Sequence, residues 1–194
     1  GALLVLKPGS ITMVATDGHR LAHVEKSEAM DDVSEEVKVL VPKKAMSELV
    51  HIIAEGTDAD TVSFSRDDNH LFFDIGRRFL MSRTLTGQFP NYEMVMPKNN
   101  DKSVQFESGL LNLAIRRVAL MADERSHAIR FHLEPNQLVI SSQNAEEGEA
   151  NETLQTEYAG EETDIGFNAQ YLQEFLNVIG DAKVAFEFRE IGRA

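Results

Sequence analysis

Cysteine is absent from the 194-residue chain. That removes disulfides, thiolate metal ligands and thiol nucleophiles from the chemistry open to it. No apolar run approaches the roughly 18 residues that a spanning helix needs. No secretory leader pattern opens the sequence, so the cytosol is the expected location and no membrane is expected as partner. Cations are scarce: 19 Lys and Arg stand against 32 Asp and Glu, for a formal net charge of −13. A general basic coat for DNA is thereby excluded, because phosphate binding works through Lys and Arg displacing counterions. A few cations gathered on one face remain compatible with nucleic acid. Also missing are a Gly-rich phosphate loop and a nucleophile elbow. The histidines lack metal-ligand spacing: His19 and His23 are four apart in a predicted turn and strand, and His127 and His132 fall on opposite faces of one predicted strand. No metal, cofactor or catalytic group is expected.

The acids that are present are clustered. Glu146, Glu147, Glu149, Glu152, Glu157, Glu161, Glu162 and Asp164 run without a Lys or Arg, and six acids accompany Lys26 between Glu25 and Glu36. Gathered in this way, they leave other faces less negative than the total implies. The most informative stretch is Val14-Ala15-Thr16-Asp17-Gly18-His19-Arg20-Leu21. An apolar lead-in meets Asp-Gly, a tight-turn dipeptide. The turn then presents His19, Arg20 and Leu21, either as ordinary surface residues or as a rigid loop for a partner or substrate. An acid/base pair of Asp17 with His19 has no third residue positioned by the pattern.

Hydrophobic spacing predicts strand, three-turn helix and several antiparallel strands, used three times over. The helices run from Pro42 to Gly56, from Gly109 to Met121 and from the N-cap Asn168 to Gly180. Their predicted core stripes are Met46, Leu49, Val50 and Ile53; Leu110, Leu111, Ala114, Val118 and Met121; and Tyr171, Leu172, Phe175, Leu176 and Ile179. Ser27 to Glu36 is predicted as a loop, and Pro97 to Lys102 as a linker. A repeated unit in which each helix covers one face of a sheet is α+β.

With loop and repeat in hand, the chain resembles the bacterial β sliding clamps, the β subunits of DNA polymerase III. The resemblance rests on Thr16-Asp17-Gly18-His19-Arg20-Leu21, Val41-Pro42-Lys43-Lys44, Gly87-Gln88-Phe89-Pro90-Asn91-Tyr92, Pro97-Lys98, Ala122-Asp123-Glu124-Arg125-Ser126 and Ile165-Gly166-Phe167-Asn168, in the family's order. It implies repeated clamp domains, with antiparallel sheets outside and paired helices lining the DNA-facing side. Residues 1–98 would be the second clamp domain without its first strand and helix, and residues 99–194 the third without its C-terminal strands. The implied role is a non-catalytic processivity factor, a homodimeric ring at full length that encircles duplex DNA without reading sequence. The implied partners are the replicative polymerase catalytic subunit, the clamp loader, and repair and translesion polymerases, each bringing a short linear peptide. Carried over by position, Thr16, Gly18, His19, Arg20 and Leu21 form one wall of the peptide groove, Pro90, Met94 and Val95 contribute nearby, and Asn168 and Tyr171 lie on the other side. Lys43, Lys44, Arg116 and Arg117 are the implied DNA-facing cations. One departure stands out: Glu93-Met94 occupies the place of a basic pair that the family often carries. Two readings from other classes compete, a small hydrolase or isomerase using Asp17 and His19, and an acidic protein-interaction module with no DNA role.

Overall fold

The structure, a computed structural model, describes residues 1–28, 32–56, 59–144 and 148–189; Asp31, Glu146 and Glu147 of the acidic clusters lie outside them. The chain divides into two units, Gly1–Met96 and Pro97–Ala194.

In the first unit, β1 (Ala2–Lys7), β2 (Ser10–Thr16), β3 (Leu21–Ser27) and β4 (Val37–Val41) form an antiparallel sheet in the order β3-β2-β1-β4. Lys7 pairs with Ser10 across the two-residue turn Pro8-Gly9. Gly9 stands at φ 87°, where a side chain is strained. Strand β1 is central and buried on both faces, which is why its sequence is a continuous apolar run rather than an alternation. Leu4 and Leu6 enter the main core, while Leu3 and Val5 join Val14 in a smaller cluster on the other side. Helix α1 (Lys43–Ala54) follows Pro42, whose extended backbone makes it the residue before the first turn. A three-stranded sheet, β5 (Ser63–Arg66), β6 (His70–Ile75) and β7 (Arg78–Arg83), sends Leu71, Phe73 and Ile75 into the same core.

The predicted stripe on α1 is displaced by one ridge. Ala45 and Leu49 are buried and Met46 and Ile52 half-buried, whereas Val50 is 63% exposed and Ile53 53% exposed. Periodicity identifies an apolar arc, but the sheet beneath covers only the Ala45–Leu49–Ile52 line of it.

The second unit comprises β8 (Lys102–Glu107), α2 (Ser108–Ala119), β9 (Ala128–Glu134), β10 (Gln137–Asn144), β11 (Gly148–Gln155), β12 (Thr163–Asn168), α3 (Ala169–Ile179) and β13 (Lys183–Phe188). Strands β11-β10-β9-β12 form one antiparallel sheet and β13-β8 another. The order β11-β10-β9-β12 followed by α3 repeats β3-β2-β1-β4 followed by α1. Helices α2 and α3 pack together, with Asn112 Nδ2 donating to Asn177 Oδ1 at 2.8 Å. The core beneath α2 is Leu111, Ala114, Ile115 and Val118. The predicted Leu111, Ala114 and Val118 are buried; two assignments change, since Leu110 is exposed and Ile115 is fully buried in its place. Met121 falls beyond the end of α2. His127 is not on a strand with His132. It precedes β9 at φ 48°, its amide donating to Asp123 O at 2.8 Å.

The repeat makes a comparison possible. Val50 and Ile53 stand eight and eleven residues after the N-cap Pro42, as Leu176 and Ile179 do after the N-cap Asn168. Where α2 lies beside α3, Leu176 is buried and Ile179 half-buried. Among the described residues of the first unit no second helix lies beside α1, and the matching ridge is bare.

Candidate partner-docking and nucleic-acid surfaces

The turn between β2 and β3 is held by its own side chains. Thr16 pairs with Leu21 at the last rung of the ladder. Thr16 Oγ1 donates to Arg20 O at 2.7 Å and accepts from the Gly18 amide at 3.1 Å. Asp17 Oδ1 accepts from the amides of His19 and Arg20, both at 3.0 Å, and Oδ2 accepts from Arg20 Nε at 3.1 Å. Gly18 takes φ 91°, which closes the turn without strain. The Arg20 amide, then the His19 amide, hold the Asp17 carboxyl down at about 2. Asp17 is thus a backbone pin: it engages the amide of His19 and the amide and guanidinium of Arg20. His19 and Arg20 are left exposed on a fixed frame.

Leu21 carries the turn into the interior. It is half-buried with Leu40, Phe89 and Tyr92 against Leu3, Val5 and Val14. The same small cluster therefore seats both the turn and the segment that follows β7. Tyr92 packs against Phe89 (ring centroids 6.5 Å apart) and His23 (5.9 Å). Its carbonyl accepts from the amides of Val95 (3.1 Å) and Met96 (3.0 Å), closing a short 3₁₀ turn over Tyr92–Met94. From this turn Met94 (80% exposed) and Val95 (69% exposed) project outward, with Pro90 also exposed. Exposed large apolar side chains on a pinned turn are the usual material of a docking surface. An open cleft of about 520 Å³ adjoins it, lined by Leu3, Leu40, Leu85, Phe89, Pro90 and Tyr92 among others, with Lys38, Arg66 and Glu93 as its charged groups. Sequence reasoning named Leu21, Pro90, Met94 and Val95 for this surface and did not name Phe89 and Tyr92, which pack with Leu21. The Phe-Pro-Asn-Tyr run was the available signal.

In the second unit Asn168 caps α3, its Oδ1 accepting from the amides of Gln170 (2.9 Å) and Tyr171 (3.4 Å). Its Nδ2 donates to Ser126 O at 3.0 Å, within the Asp123–Ser126 turn. Asp123 Oδ1 in turn accepts from the Ser126 amide and hydroxyl, both at 2.9 Å, which keeps its carboxyl ionised below the ordinary range. Tyr171 is half-buried.

The four candidate cations differ. Lys43 and Lys44 are exposed in the first turn of α1, which holds no acid. Cations there oppose the helix dipole, so local stability does not account for them. Arg116 is exposed on α2. Arg117 is tied to Glu152 of β11, through Nε at 2.5 Å and Nη2 at 3.0 Å. The pair pushes the guanidinium up and the carboxyl down, so Arg117 is partly neutralised in place. Among the described residues no group of three His, Asp or Glu is placed to hold a metal, and no helix is long and apolar enough to cross a membrane.

Family models match both units: the central domain of the DNA polymerase III beta subunit over residues 1–91, and its C-terminal domain over residues 93–193. Beta sliding clamps of Pseudomonas aeruginosa (36% identical), Escherichia coli (34%) and Synechococcus elongatus (32%) align over 96%, 92% and 96% of this chain and 50%, 48% and 50% of their own. A crystal structure of the Pseudomonas aeruginosa clamp bound to griselimycin matches with a TM-score of 0.90 at 35% identity, covering 98% of this chain and 51% of that one. The Caulobacter crescentus pol III beta structure matches at 0.86 and 30%, covering 98% and 52%. The chain thus spans about half the length of the curated relatives it matches. The fold is that of the sliding clamps, α+β with antiparallel sheets, and the chain belongs to the DNA polymerase III beta subunit family.

Proposed function

We propose that this chain is part of a DNA polymerase processivity factor, a sliding clamp that encircles duplex DNA and tethers the replicative polymerase and other replication and repair proteins. The observation that carries the reading is the consecutive match of its two units to the central and C-terminal domains of one family. The role is non-catalytic, exerted in the bacterial cytoplasm at replication sites, and the full-length ring is a homodimer. Residues 1–98 act as the second clamp domain and residues 99–194 as the third.

Lys43, Lys44 and Arg116 face the DNA and contact phosphates, which makes the contacts salt-sensitive and independent of sequence. Arg117 contributes less, because Glu152 already engages it. Thr16, Gly18, His19, Arg20, Leu21, Pro90, Met94 and Val95 of the first unit receive the apolar side chains of partner peptides, and on the second unit Asn168 and Tyr171 are the candidate peptide contacts. The clamp loader and the replicative, repair and translesion polymerases supply those peptides. The pinned Thr16–Leu21 turn supports this use, since a partner meeting it has no loop to order. In the intact protein, changing both Lys43 and Lys44 to Glu is expected to weaken retention on DNA several-fold at moderate salt. Unchanged retention in a gel-filtration assay on nicked circular DNA is the result that sinks the assignment.

A further inference from the structure

Glu93 sits on the docking turn with its charge unspent. Tyr92 fixes the backbone on one side of it, and Met94 and Val95 project on the other. The nearby Lys38 is already matched: Glu36 pairs with it at 2.8 Å and with Lys7 at 3.1 Å. Lys38 lies close enough to feel the Glu93 charge, but Glu36 is the first cause of its raised pKa and takes its amino group. Arg66, from β5, reaches the same cleft but makes no ion pair with Glu93. Among the described residues the Glu93 carboxylate has no ion-pair partner within 4.0 Å.

From this we infer that Glu93 makes the docking wall select peptides with a cationic side chain next to their apolar anchor. The inference rests on the docking reading above. An apolar residue settling on the exposed Met94 and Val95 brings its chain neighbour beside Glu93, which directly precedes Met94, because successive residues of an extended peptide are only about 3.3 Å apart. A carboxylate there leaves an acidic neighbour facing like charge and gives a Lys or Arg its counter-ion. Exposed pairs of this kind contribute little, so the selectivity is about two- to fivefold at low salt, the equivalent of roughly 0.4–1 kcal/mol. The net charge of −13 also attracts any cationic peptide, diffusely and from every face. Glu93 itself is the source only if the preference tracks that one side chain.

The test uses two capped octapeptides that share a Leu-Leu-Phe core and carry either Arg or Glu beside it. Each is titrated to millimolar concentration into the ¹⁵N-labelled chain and followed by amide NMR. The Arg peptide is expected to bind two- to fivefold more tightly, the preference to fall in Glu93→Gln, and to reverse in Glu93→Arg. A preference that survives both substitutions overturns the role of Glu93. The docking wall still stands in that case if Leu21→Asp weakens both peptides alike. If neither peptide shifts the amides around Leu21, Met94 and Val95, the docking wall and the selectivity fall together.

Discussion

At the scale of single residues, several carboxylates are committed to the chain's own backbone and side chains. Asp17 and Asp123 each gather the amides of a tight turn. Asp164 is gripped by Arg130 at 2.7 and 2.6 Å and approached by His132 Nδ1 at 2.8 Å. Asp17, through the Arg20 amide first, and Asp164, through the Arg130 guanidinium first, are both held down at about 2. Depressed carboxyls contribute stability that is fully present above their unfolded value of roughly 3.9 and is lost as pH falls toward about 2. Acid titration is therefore expected to loosen the Thr16–Leu21 turn and the β9–β12 cross-strand pair of Arg130 with Asp164 between about pH 4 and pH 2. Side-chain carboxyl NMR reads the midpoints directly, and an ordinary midpoint near 4 for Asp17 contradicts its role as the pin. The turn was legible from Asp-Gly and the apolar flanks. The use of Asp17 was not, because a sequence does not say which amides a carboxylate will find.

At the scale of elements, helix positions were readable and helix faces only partly so. Pro42, Asn168 and Gly180 mark helix ends through chemistry that is local to the chain, and the observed boundaries follow them. Which apolar ridge turns inward depends on what lies beneath, and that is set by strands distant in sequence. Leu49→Ala is accordingly expected to cost about 2–4 kcal/mol, and Val50→Ala less than about 0.5 kcal/mol. Urea unfolding separates these outcomes, and similar costs at the two positions disagree with the ridge described here. Asn168→Ala removes the one acceptor shared by two amides and a donor to Ser126 O, so a loss of about 1–2 kcal/mol is expected, with the amides of Gln170 and Tyr171 the first to lose protection from exchange. The Thr16–Leu21 turn and the Phe89–Tyr92 segment of the proposed docking surface were legible as far as their motifs reach. Phe89 and Tyr92 escaped notice as anchors because their contacts with Leu21 join β3 to a segment beyond β7, a pairing that no local pattern encodes.

At the scale of the whole molecule, the net charge and the proposed function pull in opposite directions, and enclosure of the duplex would reconcile them. A chain with 13 more acids than bases gains little from free association with DNA. A few exposed cations such as Lys43, Lys44 and Arg116 suffice if the protein is held on the duplex by enclosing it rather than by adhering to it. Retention then depends on whether the DNA has an end. The direct measurement is to load the intact protein that carries these two units onto a nicked circular plasmid, linearise half of the sample, and pass both halves through a sizing column at moderate salt. Retention on the circle with loss from the linear form is the predicted result. Equal retention on both forms, or equal loss from both, contradicts the proposal that this chain belongs to a ring around DNA.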